Sequence, residues 1–281
     1  MNNFFSHLIR NTNINKYDFG HVLVIAGSKF MPGAGILSCL GAMRAGAGIV
    51  TYAIKKENFQ YISTMTLNPE IIFFIYENTS DILDYIINRR VLSIVIGPGL
   101  EISKKNYMII NDIIKTVNMP VILDASGIAC FNGLVANLKN KKIKAKLILT
   151  PHMMELAKLL NIEISYIKSN RKKILCEFTK GNSLICLLKG HHTLISQYGK
   201  ISTNNSGTSA MATAGSGDVL SGIISAFVNY NSNIFLATIM AVFIHGLAGE
   251  LAEKDKGPIS VIASDIIDNI CYAIKQLINR K

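Results

Sequence analysis

Short, almost unbroken apolar runs alternate along the chain with longer segments whose apolar residues recur at helical spacing. "HVLVIAG" precedes "AGILSCLGAMRAG", "VLSIVIGPG" precedes "SKKNYMIINDIIKTV", "PVILDASG" precedes a connection, and "KLILTPH" precedes "MMELAKLL". This rhythm predicts βαβ units on a mainly parallel sheet. The strand runs are apolar throughout rather than alternating, as expected when helices cover both faces of a sheet. The expected fold class is α/β, a doubly wound three-layer α/β/α sandwich. No low-complexity linker and no internal repeat divides the chain, so residues 1–281 are expected to form one domain.

Several predicted strands end on Gly, Pro, Asp or His: Gly27, Gly97, Pro98, Gly99, Asp124, Pro151 and His152. In open α/β sheets the carboxyl ends of the strands line the ligand crevice, which would gather these residues at one site. Each of them taken singly is also an ordinary turn residue.

Composition narrows the function classes. With 281 residues, 49% of them hydrophobic, the chain can bury a sizeable core. A formal charge of +11 invites a nucleic-acid partner. The basic residues are scattered, however, as in "IKKEN" and "KNKKIKAK", without a long cluster or interleaved aromatic platform, so no nucleic-acid partner is expected. Five dispersed cysteines (Cys39, Cys130, Cys176, Cys186, Cys271) form no CxxC pair, which points to a reducing, cytoplasmic setting rather than a zinc site or a disulfide framework. The first twenty residues lack a signal-peptide pattern. The longest late apolar run, "IFLATIMAVFIHGLAGELA", is interrupted by Thr238, His245 and Glu250, which predicts a buried helix and no membrane partner.

Two glycine-rich segments invite chemistry. "VLVIAGSKFMPGAGILS" fails as a dinucleotide fingerprint, because Ser38 stands where the third glycine belongs and no acidic residue follows at the usual distance. No GxxxxGK[ST] phosphate loop is present either. "TAGSGDVLSGIISAF" differs, since it brings Gly215, Ser216 and Gly217 to the start of a predicted helix, where backbone N–H groups and the helix dipole favour an anion. Asp218 in the first turn has two readings: a stabilising helix-start acid, or a general base beside a phosphate cradle. A strand-like "SLICLLKGHHTLIS" precedes this loop, and its "KGHHT" can offer Lys189, Thr193 and backbone donors to a nucleotide.

Taken in order, "FGHVLVIAGS", "PGAGILSCLGAMRAGAGIVT", "VIGPGL", "VILDASGI", "LTPHMMELAKLL", "LLKGHHTLIS", "MATAGSGDVLSGIISAF", "FIHGLAGELA" and "IASDII" resemble the ribokinase-like superfamily. Within it they are similar to the NAD(P)H-hydrate dehydratase family, over nearly the whole chain. The resemblance implies a lyase that removes water from the S form of NADH hydrate and NADPH hydrate, with ADP or ATP as phosphoryl donor and Mg²⁺ as cofactor. ADP is the expected donor.

By the same resemblance Asp218 contacts the hydrated ring and activates its hydroxyl. Gly215, Ser216 and Gly217 form the anion hole. Lys189, Gly190, His191, His192, Thr193 and Gly217 hold the adenine nucleotide, and Ala34, Gly99 and His152 hold the hydrated dinucleotide. His152 also reads as a turn histidine, and Glu155 equally as a helix-start acid or a metal-shell partner. The metal ligands are left unassigned.

Thr208, Ser209 and Ala210 depart from the family's usual asparagine, small residue and glycine before "MAT". Ala214 replaces a commoner glycine, which raises the question whether that position needs a positive φ. Glu101 follows "GPGL" in place of a frequent glycine, and "DAS" replaces "DAD" after Asp124. An alternative from the same superfamily is a small-molecule kinase resembling the hydroxyethylthiazole or hydroxymethylpyrimidine kinases. The resemblance further implies a homotetramer and a separate NAD(P)H-hydrate epimerase, an epimerase domain not being expected in the roughly twenty residues before the first strand.

Overall fold

The computed structural model describes residue 13 and residues 15–62 and 68–279. Nine strands form one sheet: β1 (His21–Ile25), β2 (Ile49–Lys55), β3 (Ile72–Tyr76), β4 (Ser93–Ile96), β5 (Pro120–Leu123), β6 (Lys146–Leu149), β7 (Ile185–Leu188), β8 (Leu194–Gln197) and β9 (Lys200–Thr203). Their spatial order is β3-β2-β1-β4-β5-β6-β7-β8-β9. The pairs up to β6–β7 are parallel, and β7–β8 and β8–β9 are antiparallel. The mostly parallel sheet is as expected.

Helices cover both faces. On one side lie α1 (Gly33–Arg44), α6 (Ser216–Phe227), α7 (Ile234–Lys256) and α8 (Ala263–Ile278); on the other lie α2 (Thr79–Asn88), α3 (Lys104–Thr116), α4 (Met153–Leu160) and α5 (Ile164–Thr179). Successive side chains of a strand point to opposite faces. Val22 and Val24 of β1 therefore join the first core, with Ile122, Ile148, Val219, Ile223 and Ala241, whereas Leu23 and Ile25 join the second, with Ile94, Leu123, Ile110 and Leu156. That two-sided burial explains why the strand runs carry no polar alternation.

Local chemistry sets the helix starts. Asn78 caps α2 in a reciprocal box with Asp81, Ser103 Oγ accepts the Asn106 N–H at α3, and Asn233 caps α7 through the Leu236 N–H. The apolar run singled out above is α7. By length and composition it could cross a membrane, but here Ala241, Ile244, Ala248 and Ala252 are buried in the first core.

One expectation is corrected. "SLICLLKGHHTLIS" is not a single strand but the hairpin β7–β8, because Gly190 (φ +137°) and His192 (φ +52°) turn the chain back between them.

Candidate functional site

The chain runs outward from β1 through β2 to β3, then crosses back to lay β4 on the other side of β1. The carboxyl ends of β1 and β4 thus flank the topological switch point, where open α/β sheets bind ligands. Backbone bonds clamp the two loops there: the Gly27 N–H donates to Pro98 O at 2.8 Å and the Gly97 N–H to Ile25 O at 3.1 Å. Gly99 holds φ +65°, and a Cβ on it would lie 2.6 Å from Met31 O and 2.9 Å from the Cβ of Ala34. Ala34 and Gly99, far apart in sequence, therefore adjoin at the mouth of this crevice.

The anion-hole segment is a sharp turn into α6. Gly215 takes φ +86°, and a Cβ there would lie 2.4 Å from Leu37 Cδ1, so the turn needs glycine at this position. Ala214 has no positive φ, which removes the concern its side chain raised. In the replaced stretch before it, Thr208 Oγ1 accepts the Ala210 N–H at 3.3 Å and starts a helical turn over Ser209–Met211. Ser216 Oγ lies 3.3 Å from Nε2 of His245, a buried α7 histidine whose pKa burial pushes down to about 4, so it is neutral at physiological pH. The Asp218 carbonyl accepts from Ser38 Oγ of α1 (2.9 Å) and Ser221 Oγ (2.8 Å), which fixes the first turn of α6 against α1.

Next to this turn lies a compact charge cluster. Lys189 Nζ donates to Asp124 Oδ1 at 2.8 Å, and the same oxygen accepts from Thr150 Oγ1 at 2.7 Å. Glu155 Oε2 is 3.8 Å from the ammonium. A Cβ on Gly217 would stand 3.3 Å from Lys189 Nζ and 3.9 Å from Asp124 Oδ2, which places the Gly215–Gly217 turn directly over the pair. Burial pulls the Lys189 pKa down, but Asp124, Glu155 and Asp218 outweigh it and hold the ammonium above its ordinary value. Burial, joined by the charges of Asp124 and Glu155 against the pull of Lys189, lifts the Asp218 pKa to about 7. A carboxyl so placed takes up and releases a proton in the neutral range, as a general base requires.

A cavity of about 960 Å³ opens beside the cluster. Its lining includes every residue expected to hold the nucleotide, Lys189 through Thr193 and Gly217, and also Ser216 and His152. Ala34, Gly99 and Asp218 lie outside that lining. Asp218 sits between the two regions, tied to α1 through Ser38 and within electrostatic reach of Lys189 and Asp124. His152 is exposed and caps α4, its Nδ1 accepting the Glu155 N–H (3.2 Å) while its own N–H donates to Glu155 Oε2 (2.7 Å). The helix-start reading of Glu155 is realised in this capping box, and its carboxylate also faces Lys189.

Among the described residues no group of three or more His, Cys, Asp or Glu side chains could hold a metal ion by itself. Asp124 and Glu155 both face the Lys189 ammonium.

Sequence reasoning placed Asp124 only at a strand end and gave no role to Thr150 or to His245. Asp124 carries a signal in hindsight, an acid closing an apolar strand and 1% exposed. His245 had one too, as the polar interruption of "IFLATIMAVFIHG" that faces the loop rather than solvent.

A mostly parallel sheet covered on both faces, with a glycine turn into a helix, a buried carboxylate and an adjoining lysine, defines a ribokinase-like α/β/α protein. Residues 22–271 match the family model described as NAD(P)H-hydrate dehydratase. The chain is 30% identical over 249 residues to the ADP-dependent (S)-NAD(P)H-hydrate dehydratase of Listeria monocytogenes, covering 88% of this chain and 85% of that protein. It is also 30% identical over 281 residues to the bifunctional NAD(P)H-hydrate repair enzyme of Dictyoglomus turgidum, covering 97% of this chain and 54% of that one, so it spans about half the length of such relatives. The crystal structure of the Bacillus subtilis ADP/ATP-dependent NAD(P)H-hydrate dehydratase, co-crystallised with ATP and Mg²⁺, superposes with a TM-score of 0.81 at 26% identity, over 95% of this chain and 93% of that one. A hydroxyethylthiazole kinase from Pyrococcus horikoshii shares the fold alone, with a TM-score of 0.56 at 16% identity over 87% and 94% of the two chains. The chain belongs to the NAD(P)H-hydrate dehydratase family.

Proposed function

We propose that this protein restores NADH and NADPH from the S form of their hydrates, using ADP or ATP as phosphoryl donor. The observation that carries the reading is the placement of Asp218, its pKa lifted to about 7, between the Ala34–Gly99 crevice and the Gly215–Gly217 turn over Lys189. Asp218 would take the proton from the ring hydroxyl as its oxygen attacks the donor's terminal phosphorus. The bond to the departing nucleotide breaks, and the N–H groups at the start of α6 with the Lys189 ammonium offset the charge that builds on the phosphoryl oxygens. The ring nitrogen's lone pair then expels phosphate, and a proton lost from the neighbouring carbon restores the dihydropyridine.

Magnesium, when bound with the nucleotide, neutralises phosphate charge. On the protein side, Asp124 and Glu155 would face it and keep Lys189 charged and in place. The chain is read as one domain, acting as a cytoplasmic homotetramer beside a separate epimerase that supplies the S form. Support for the single domain comes from one sheet that draws strands from residues 21 to 203.

Incubation with hydrated NADH, Mg²⁺ and either ADP or ATP tests the reading: absorbance in the dihydropyridine band should return, with one phosphate released per molecule restored. No return of absorbance, with accumulation of a stable phosphorylated thiazole or pyrimidine alcohol when that is supplied, would establish the kinase instead.

A further inference from the structure

The cavity-lining loop between β7 and β8 is held from outside the cavity. Residues 190–193 make a tight turn with His191 and His192 at its centre. Of these two, only His192 has a positive φ, +52°. A positive φ lies in the left-handed region, which favours Gly or Asn over a histidine. Both histidine side chains are exposed; their ring centroids lie 3.9 Å apart, and His192 Nδ1 lies 3.2 Å from Asn205 Oδ1.

Arg171 ties the turn's backbone carbonyls to α5. Its Nη1 donates to the His191 carbonyl at 2.9 Å and its Nη2 to the His192 carbonyl at 3.2 Å. The residue sits in α5 just after a break at Asn170 (φ −131°, ψ 27°), where the helix departs from regular geometry. Its Nε is buried without a hydrogen-bond partner among the described residues, so the side chain is committed through its terminal fork. The His191 carbonyl belongs to the central peptide of the turn. In a planar trans peptide the N–H points opposite to the C=O, so holding that carbonyl on Arg171 turns the His192 N–H the other way. His191 and His192 line the cavity and Arg171 does not.

We propose that Arg171 is a positioning residue for the adenine nucleotide: its fork selects the orientation of the 191–192 peptide and so presents the His192 N–H to the cavity. The inference rests on the nucleotide-binding reading given above. A planar guanidinium spans two neighbouring carbonyls where an ammonium cannot.

The test compares wild type, R171M, R171K and the double variant R171M/H192G. It measures calorimetric ADP affinity, the KM for each substrate, kcat at saturating ADP and the melting temperature. R171M should weaken ADP binding and raise its KM by about tenfold, the loss expected of a charge-assisted pair, with kcat and the KM for hydrated NADH within about twofold. R171K should fall between wild type and R171M. Glycine at 192 should recover several-fold of the lost affinity in the double variant, because glycine adopts the positive φ unaided. Unchanged ADP affinity in R171M overturns the proposal. So does a parallel fall in kcat and both affinities with a lowered melting temperature, or a failure of H192G to restore binding. If wild type itself binds no adenine nucleotide, the functional reading fails and this inference with it; if wild type binds and turns over while R171M is unaffected, only this inference fails.

Discussion

Replacing Asp218 with asparagine should abolish most activity and stabilise the protein in the same stroke. The Asp218 carboxyl is lifted from 3.8 to about 7, first by burial and then by Asp124 and Glu155. Between those pH values the folded chain holds a proton that the unfolded chain has released, so stability falls as pH rises from about 4 and levels off above about 7. At 1.36 kcal/mol per pH unit, that rise corresponds to roughly 4 kcal/mol of destabilisation at pH 8 relative to pH 4. The asparagine side chain removes the charge but keeps a polar amide that must also be desolvated, which leaves a gain of about 2–4 kcal/mol at pH 8. At about 2 °C per kcal/mol for a chain of this size, the melting temperature should rise by roughly 4–8 °C. Thermal melts of wild type and D218N at pH 4.5, 6, 7 and 8, without nucleotide, read this directly: the two curves should converge at low pH and part above neutrality. In parallel, kcat/KM of wild type should fall about tenfold per unit below pH 7 as the base protonates, whereas D218N should lose about 10²–10⁴-fold at pH 7 and above and show no such fall below it. A melting difference that is absent at pH 8, or equally large at pH 4.5, would refute the electrostatic account of Asp218.

Three further substitutions probe the same neighbourhood. Lys189→Met leaves the Asp124 carboxylate, 1% exposed, without its cationic partner; urea unfolding should show a loss of about 3–5 kcal/mol, and any residual activity should titrate at higher pH because Lys189 no longer draws the Asp218 pKa down. Gly215→Ala forces a side chain into φ +86° and within 2.4 Å of Leu37 Cδ1; a loss of about 1–3 kcal/mol and weaker ADP binding are expected, and unchanged calorimetric affinity would count against a role for this turn. Ala125, next to Asp124, is held at φ 47°, ψ −119°, a region that suits glycine; Ala125→Gly should raise the melting temperature by about 2–4 °C, the relieved strain exceeding the added backbone entropy, and a lowered value would show that the conformation is unstrained.

The architecture was legible because it rests on local periodicity. Strands β1, β4, β5 and β6 are continuous apolar runs, and α1, α3 and α4 follow three of them with helical spacing. The hairpin β7–β8 was not legible, since its turn is made by a histidine in a left-handed conformation and by an arginine about twenty residues upstream, neither of which breaks the hydrophobic pattern. The site divides in the same way. Residues next to glycines at strand ends and helix starts, such as Lys189 and Asp218, stood out by position. Asp124, Thr150 and His245 act through contacts that span 26 to 65 residues of sequence, and only the folded sheet brings their partners near. Their roles depend on burial, which a sequence records only as an unexpected polar residue in an apolar run.

The site also explains why a kinase-like scaffold can belong to a family named for dehydration. An anion-binding turn, a lysine and a carboxylate suited to accept a hydroxyl proton are the parts of phosphoryl transfer, whatever the acceptor. Whether the product persists as a phosphate ester or collapses by losing phosphate depends on the acceptor: a hydroxyl on a carbon that an enamine nitrogen can push against departs once phosphorylated, whereas a primary alcohol does not. On the proposed reading, the residues that separate the two outcomes are those that would admit the acceptor, at the α1 entrance, where Gly99 leaves room for Met31 and Ala34 to close against it. Enlarging Ala34 should raise the KM for hydrated NADH while leaving calorimetric ADP affinity intact, because Ala34 lies outside the lining of the nucleotide cavity. An equal loss of both affinities would mean that the crevice and the cavity form one undivided pocket.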